Sequence, residues 1–328
     1  MERLRPLLNS SASQEKATDY IDGLWGVART PDGSTYGIVV DCNPLILWYN
    51  KGILQNAGIS QMPADLYEQG KWNRDAFTNM IQQIKAKGKY GYILDHWTLP
   101  FWSWVTASGG KVYDNNGRGQ FIANQDPKSV DTFKWLNDNI RAKTIIYASS
   151  LPKGQGADLA FLTNQVGFVC AGRWYLPEFK KADNLQYDIV PFPTNTGKKI
   201  EPAGVAIAYI SLNNASKNRD AAFQFLTNFV SAKGETFRLQ NGGNALPSIH
   251  GADQVVTEGN LPAHAQYFID AREIGYAPFV AEDATTGLTN DIQDKLDPMW
   301  LQGADVQSTL NAVAAMANPR IKQALASH

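Results

Sequence analysis

Three short apolar runs between Val166 and Tyr209 decide the fold of this chain. They read VGFVCAGRWYLPEFKK over residues 166–181, YDIVPFP over 187–193 and EPAGVAIAY over 201–209. Short apolar runs bounded by glycine, proline and polar turns are typical of buried strands, here 166–171, 187–192 and 205–210. Pro177 fits the first turn of a helix between the first two strands. Strands that alternate with helices predict an α/β fold.

The pattern extends to both sides of this stretch. Upstream, two strands are predicted at 37–40 and 45–49, with an interruption at Asn43-Pro44. Asn73 is expected to cap a helix with apolar residues at helical spacing. The final helix, 306–325, is expected to break before Pro319. Between them, a helix led by Asn218 is predicted to bury Ala222, Phe225, Leu226, Phe229 and Val230.

The composition suits a large folded protein without a nucleic-acid partner. With 328 residues, 44% of them hydrophobic, the chain can form two domains and a large buried core. Its formal net charge is -1, and no Lys/Arg cluster provides the basic surface that nucleic acid requires. The two cysteines, Cys42 and Cys170, lie in apolar runs, which favours buried free thiols over a disulfide framework.

Several motifs recur in an order that resembles a known family. They are Tyr49-Asn50-Lys51, Gly172-Arg173-Trp174, Val190-Pro-Phe-Pro193, Ala203-Gly-Val-Ala-Ile207 and Ala221-Ala-Phe-Gln-Phe-Leu226. Their order and spacing resemble the sugar-type extracellular solute-binding proteins of ABC transporters, the family of maltose-binding protein. No single motif is specific, whereas the series is.

The resemblance implies a periplasmic-binding-protein-like fold of two α/β lobes joined by hinge crossings. These crossings are expected near 41–44, 204–208 and 260–262. The N-terminal lobe would comprise residues 1–42 plus 208–259, and the C-terminal lobe residues 45–204 plus 262–328. In such proteins the ligand lies between the lobes, and closure around it selects the bound form.

The resemblance also implies the ligand and the partner. A sugar presents an apolar C–H face on which an aromatic ring can stack, and the chain has nine tryptophans, more than its core requires. We expect a mono- or oligosaccharide ligand, the transmembrane subunits of an ABC permease as partner, a monomeric state and no cofactor.

The candidate ligand-binding residues come from the matching positions. Trp174 is the first, because Gly-x-Trp supplies a sugar-stacking ring in the family. Asp41 and Asn43 lie at the first crossing, although either residue could simply cap a turn. The remaining candidates are Trp97 and Trp102 in the aromatic cluster Asp95–Trp104, Arg173, Gly204, Glu282 and Asp283. For these, helix packing, a surface charge or a hinge glycine is an alternative role.

Other chemistry finds little support in the sequence. The histidines His96, His250, His264 and His328 lack zinc-ligand spacing, and the loop from Asp114 has Gln125 where a calcium loop needs glutamate. Nucleotide-binding glycine motifs and a nucleophile elbow are absent. Because a glycosidase needs only two suitably placed carboxylates, a carbohydrate-active hydrolase stays open as an alternative. A non-sugar solute is the other alternative.

The beginning of the chain departs from the family pattern. Family members carry a signal peptide and the first strand and helix units before a segment similar to Leu4–Leu8. Here Met1 lies only three residues before that segment. This predicts an incomplete N-terminal lobe with exposed strand edges. The family is periplasmic or on the cell surface; without a signal peptide, a chain that truly starts at Met1 would remain cytoplasmic. No apolar run reaches the roughly 20 residues of a membrane span.

Overall fold

A five-stranded mixed sheet forms the centre of the structure, a computed structural model that describes residue 1 and residues 3–326. His328, within the predicted lobe range 262–328, lies outside the described residues. Strands β1 to β7 span Ile38–Pro44, Ile46–Asn50, Tyr90–Leu94, Ile145–Tyr147, Val166–Ala171, Tyr187–Val190 and Val205–Ile210. The large sheet has the order β4-β3-β5-β2-β6, in which β3 runs parallel to β4 and β5, and β2 antiparallel to β5 and β6. Strands β1 and β7 form a separate antiparallel pair.

Helices cover the large sheet and continue to Ala326. Helices α1 to α8 span Arg5–Leu8, Lys51–Asn56, Pro63–Glu68, Arg74–Ala86, Thr98–Ala107, Pro127–Arg141, Ala157–Leu162 and Leu176–Phe179. Helices α9 to α15 span Arg219–Phe229, Ala232–Leu239, Gln254–Thr257, Gln266–Ile274, Val280–Asp283, Leu288–Gln302 and Val306–Ala326. Among the described residues, no helix combines the length and apolar character needed to cross a membrane.

The large sheet has the buried core that the sequence predicts. Every residue of β2 and β5 is buried, as expected for central strands covered on both faces. Asn73 caps α4 by accepting a hydrogen bond from the Ala76 N–H at 2.9 Å, as predicted. One face of this helix buries Phe77, Met80, Ile81 and Ile84. Cys42 and Cys170 are buried free thiols.

A second, smaller core lies beneath the β1–β7 pair. Ile38 packs there with Phe223, Leu226 and Val230, the apolar face of α9. The Tyr20 hydroxyl donates to the Val230 carbonyl at 2.9 Å, which ties the N-terminal segment to this core. The small sheet is therefore held by helix and loop contacts more than by neighbouring strands.

Three chain segments lie side by side between the two sheets. The Leu45 N–H donates to the Gly204 carbonyl at 2.9 Å, and the Val205 N–H donates to the Tyr276 carbonyl at 2.8 Å. The segment after Pro262 packs against the large sheet, where the rings of Phe268 and Trp48 are 5.7 Å apart. These contacts make a narrow junction of backbone segments.

Three local predictions were wrong. Asn43-Pro44 does not interrupt the strand, because both residues pair with β7 and the break comes at Leu45. Phe225, predicted to be buried, is 63% exposed, because the buried stripe of α9 runs through Phe223, Leu226 and Thr227.

The third correction concerns Pro319, which lies inside a continuous α15. Contacts on both sides of this proline hold the helix together. The Asn318 side chain accepts from the Phe121 N–H at 2.7 Å and donates to the Phe121 carbonyl at 3.2 Å, while Ile321 is buried. These tertiary contacts outweigh the backbone hydrogen bond that a proline removes.

Candidate functional site

One face of the β1–β7 pair carries polar side chains that reach solvent. Asp41 pairs with Ala208, and Asn43 pairs with Ala206, so these four side chains project from the same face. Asp41, Asn43 and Ala206 are half-buried and Ala208 is exposed. The small alanines leave room above the strands, and the two polar groups border this space.

Trp174 lies at the edge of this face and is fixed by its neighbours. The side-chain oxygen of Asn43 accepts a hydrogen bond from the Arg173 backbone N–H at 2.8 Å. This bond links β1 to the turn after β5. A Cβ atom at Gly172 would lie 2.5 Å from the Asn43 Cβ and 2.3 Å from the Trp174 ring, so only glycine permits this close approach without displacing a neighbour. The Trp174 ring therefore packs directly beside Asn43.

Three half-buried rings form a wall beside the strands, and we call it the aromatic wall: Trp97, Trp174 and Tyr175. The ring centroids of Trp97 and Trp174 are 6.4 Å apart with an interplanar angle of 58°. Those of Trp174 and Tyr175 are 6.1 Å apart at 79°. Tyr175 in turn packs on the buried Phe179 at 4.9 Å, which anchors the wall in the core.

Asp95 belongs to the site but was not among the predicted residues. It follows β3 directly and is half-buried beside Trp97. Burial raises the pKa of Asp95, and the negative charge of Asp158 raises it further, while hydrogen bonds from the His96 backbone and the Trp97 side chain lower it. Its position at the carboxyl end of a strand, followed by aromatic residues, was the signal in the sequence.

Arg238 is the second site residue that the sequence analysis missed. It donates to Asp41 Oδ2 at 3.1 Å and to the Val40 carbonyl at 2.9 Å. Its guanidinium also lies 4.3 Å from the centroid of the Phe229 ring at the end of α9. The charge of Asp41 is thus matched within the protein.

Three of the predicted ligand contacts lie in the interior. Arg173 is 0% exposed, and its guanidinium donates to the carbonyls of Leu239, Ala245 and Val255 at 2.8–3.5 Å. Trp102 is 1% exposed and donates to Glu282 at 2.8 Å. The Trp102 indole N–H and both terminal nitrogens of Arg173 thus donate to the protein itself, whereas Arg173 Nε is buried without a hydrogen-bond partner.

Glu282 is the acceptor at the centre of that internal network. Its carboxylate also accepts from Thr98 at 2.5 Å and from Tyr113 at 3.0 Å. Burial raises the pKa of Glu282, and these hydrogen bonds offset part of that increase. The network joins α5 to α13.

The last two predicted residues lie apart from the aromatic wall. Asp283 is exposed at the end of α13. Gly204 packs on Leu99, whose Cγ atom would be 2.5 Å from an added Cβ, so it serves the close packing of the junction. The structure therefore brings together Asp41, Asn43, Trp97 and Trp174 of the predicted set.

A cavity of about 580 Å³ lies on the opposite side of the small sheet. Gly26 lines it and lies against Tyr209, which projects from the other face of β7. Arg118 donates there to the carbonyls of Gly26 and Arg29 at 3.2 and 2.9 Å, and Arg29 lies over Trp25 at 3.8 Å. The cations of this cavity are thus already engaged. Within residues 1 and 3–326, no cluster of three or more metal-ligating side chains was found.

Comparison with known proteins assigns the family. Residues 7–236 match the model for bacterial extracellular solute-binding proteins. The chain belongs to this family, which confirms the resemblance noted in the sequence, and its role is to bind a solute. The family is extracellular.

Solved structures confirm the two-lobe, periplasmic-binding-protein-like fold. An ABC substrate-binding protein from Listeria monocytogenes in complex with cycloalternan is similar over 97% of this chain and 79% of its own, with 16% identity and a TM-score of 0.82. The acarbose-binding GacH receptor of Streptomyces glaucescens covers 96% of this chain and 78% of its own, with 19% identity and a TM-score of 0.74. UgpB from Mycobacterium tuberculosis in complex with glycerophosphocholine covers 100% of this chain and 79% of its own, with 16% identity and a TM-score of 0.77.

Proposed function

We propose that this protein binds a mono- or oligosaccharide between its two lobes and delivers it to an ABC permease. The observation that carries the proposal is the aromatic wall beside Asp41 and Asn43. Half-buried indole rings can desolvate the C–H face of a sugar, and planar polar side chains can pair with its hydroxyls. The carbohydrate ligands of the Listeria and Streptomyces proteins support the same substrate class.

The lobes in this proposal are residues 1–42 plus 208–259 and residues 45–204 plus 262–328. Asp41 and Arg238 then belong to the first lobe, and the aromatic wall belongs to the second. A ligand that touches both would favour the closed arrangement, because only that arrangement makes all of its contacts. We further propose that the protein is a monomer that carries out no catalysis and that it acts outside the membrane.

A thermal-shift screen over mono- and oligosaccharides tests the substrate class. A ligand that binds only the folded state raises the melting temperature with dose. Trp174→Ala is expected to weaken binding about tenfold, since a stacked ring contributes roughly 1 kcal/mol beyond its buried area. Phe225→Ala, which removes an exposed ring on α9, is the matched control and should leave binding unchanged.

Three outcomes would contradict this function. A melting temperature that no carbohydrate raises would reject the substrate class, and a shift with a glycerophosphodiester alone would favour the solute of the Mycobacterium protein instead. Release of reducing sugar from an oligosaccharide over time would identify a hydrolase.

A further inference from the structure

A group of three polar side chains lies at the end of β4, and we call it the β4 cluster: His96, Tyr147 and Asp297. The Tyr147 hydroxyl donates to Asp297 Oδ1, on α14, at 2.7 Å. His96 Nε2 lies 3.4 Å from the same oxygen, and the centroids of the His96 and Tyr147 rings are 5.5 Å apart. None of the three was among the predicted ligand-binding residues.

The large sheet places the β4 cluster in line with the aromatic wall. Strands β4, β3 and β5 are parallel neighbours, so their carboxyl ends lie along one edge. The turn after β3 contributes to both groups. Its Trp97 ring packs beside Trp174, which follows β5, and its His96 ring packs against Tyr147, which ends β4. The wall and the cluster therefore form one row across three strand ends, about 10 Å from β5 to β4.

The β4 cluster offers polar atoms that the protein does not use. The side chains of His96 and Asp297 are 41% and 27% exposed. Tyr147 is buried and holds the carboxylate through its hydrogen bond. Both contacts of Asp297 reach Oδ1, and no donor among the described residues reaches Oδ2. A carboxylate oxygen that is fixed in place at the surface can accept a hydrogen bond from a sugar hydroxyl and so orient the ligand.

We propose that the ligand is an oligosaccharide, with one unit stacked on the aromatic wall and another held at the β4 cluster. There its hydroxyl groups pair with Asp297 Oδ2 and His96. This inference rests on the proposed carbohydrate function and narrows its substrate class, because a single pyranose ring is too short to span the row. The β4 cluster is then a separate subsite that only longer ligands reach.

The test measures by calorimetry the affinity of glucose and its oligomers of two to five units, in the α-1,4 and the β-1,4 series. In a series that binds, affinity should rise about tenfold at the chain length that first reaches the β4 cluster. Asp297→Asn keeps an acceptor for the Tyr147 hydroxyl but removes the charge and the Oδ2 acceptor. It should lower the affinity of the longer oligomers about tenfold and leave that of the shortest ligand nearly unchanged.

Two further variants accompany Asp297→Asn. Asp138→Asn, which changes an exposed carboxylate on α6, is the matched control and should alter no affinity. If Asp297→Asn folds poorly, its melting temperature reveals the defect. His96→Ala, at a side chain that is 41% exposed, then provides the same comparison between short and long ligands.

Glucose that binds as tightly as every oligomer would overturn the inference while the carbohydrate function stands. So would an Asp297→Asn variant that keeps full affinity for the longer oligomers, or one that loses affinity equally for short and long ligands. Binding of neither series would also overturn it, and the thermal-shift screen then decides whether the carbohydrate function stands. Failure of every carbohydrate in that screen would reject both proposals together.

Discussion

The two sheets of this protein differ in how completely they are enclosed. In the large sheet, all six residues of β5 are buried between neighbouring strands. In the small sheet, β7 has one fully buried residue, Val205, and its exposed Ala208 faces the candidate site. A two-stranded pair is marginally stable alone, whereas a covered five-stranded sheet forms a core. The stable part of the molecule, the large sheet, and the part that faces the candidate site, the small sheet, are therefore separate units joined at a narrow junction.

This division suits a binding protein. The small sheet can offer half-exposed polar groups because its stability comes from outside the strands, through α9, α10 and Ser248. The Ser248 hydroxyl donates to the Val39 carbonyl at 3.0 Å and also lies 2.8 Å from Glu235. Regions with few buried apolar contacts are the ones that move most easily. Three predictions examine the contrast.

The largest effect is expected from placing the same charge in each sheet. Ala171→Lys inserts an ammonium group at a fully buried position of β5, opposite Ile46, and should cost about 3–5 kcal/mol of unfolding free energy. Ala208→Lys in β7 should stay within about 0.5 kcal/mol, because the side chain reaches solvent. Urea unfolding of both variants measures the difference. Similar losses in the two variants would contradict the contrast between the sheets.

A smaller effect is expected from the buried carboxyl that supports the small sheet. Burial raises the pKa of Glu235 from its ordinary 4.5 to about 8, while hydrogen bonds from Ser248 lower it. Between these values the unfolded chain releases the proton and the folded chain keeps it, so the stability from this group is lost as pH rises. Glu235→Gln mimics the protonated acid and should be the more stable protein at pH 8 by more than about 1 kcal/mol.

Unfolding at pH 5, 6.5 and 8 measures this advantage, which should shrink toward pH 5. Glu178→Gln is the control, because its side chain is 67% exposed. An advantage for Glu235→Gln that stays constant across this range would show that the carboxyl is ionised throughout in the folded protein.

The last effect is expected where the two regions meet, and ligand affinity is its main readout. Gly172 has φ -79° and ψ -165°, which alanine can adopt, so Gly172→Ala acts through its methyl group, which must displace Trp174 or Asn43. We expect a loss of ligand affinity of about tenfold, together with a loss of about 1–3 kcal/mol of unfolding free energy from overpacking. Gly52→Ala in α2, where an added Cβ finds 3.4 Å of room, is the control. Unchanged ligand affinity in Gly172→Ala would show that Trp174 does not contribute to ligand binding.

The sequence predicted those strands and helix caps that depend on interactions within a few residues. The strand at 166–171, the strand at 205–210 and the Asn73 cap follow from apolar runs and hydrogen-bonding chemistry within a few residues. The exposure of Phe225 could not be predicted in this way, because it depends on which side of α9 packs against the small core.

The candidate site shows the same limit. The family resemblance predicted Trp174, Asp41 and Asn43 as ligand contacts, and in the structure they lie around the same face. It could not distinguish Trp97, in the wall, from Trp102, in the interior, because Trp102 is engaged by Glu282, 180 residues away in sequence. Asp41 likewise has its partner in Arg238, 197 residues further along the chain.

The position of Arg173 constrains how the lobes can turn. Its guanidinium holds three carbonyls between residues 239 and 255, and its backbone N–H is held by Asn43. A rotation that keeps these bonds must have its axis close to Arg173, and atoms near an axis travel a short arc. Trp174, the next residue, would then keep nearly the same orientation in the open and closed forms, so an arriving solute finds one surface already in place.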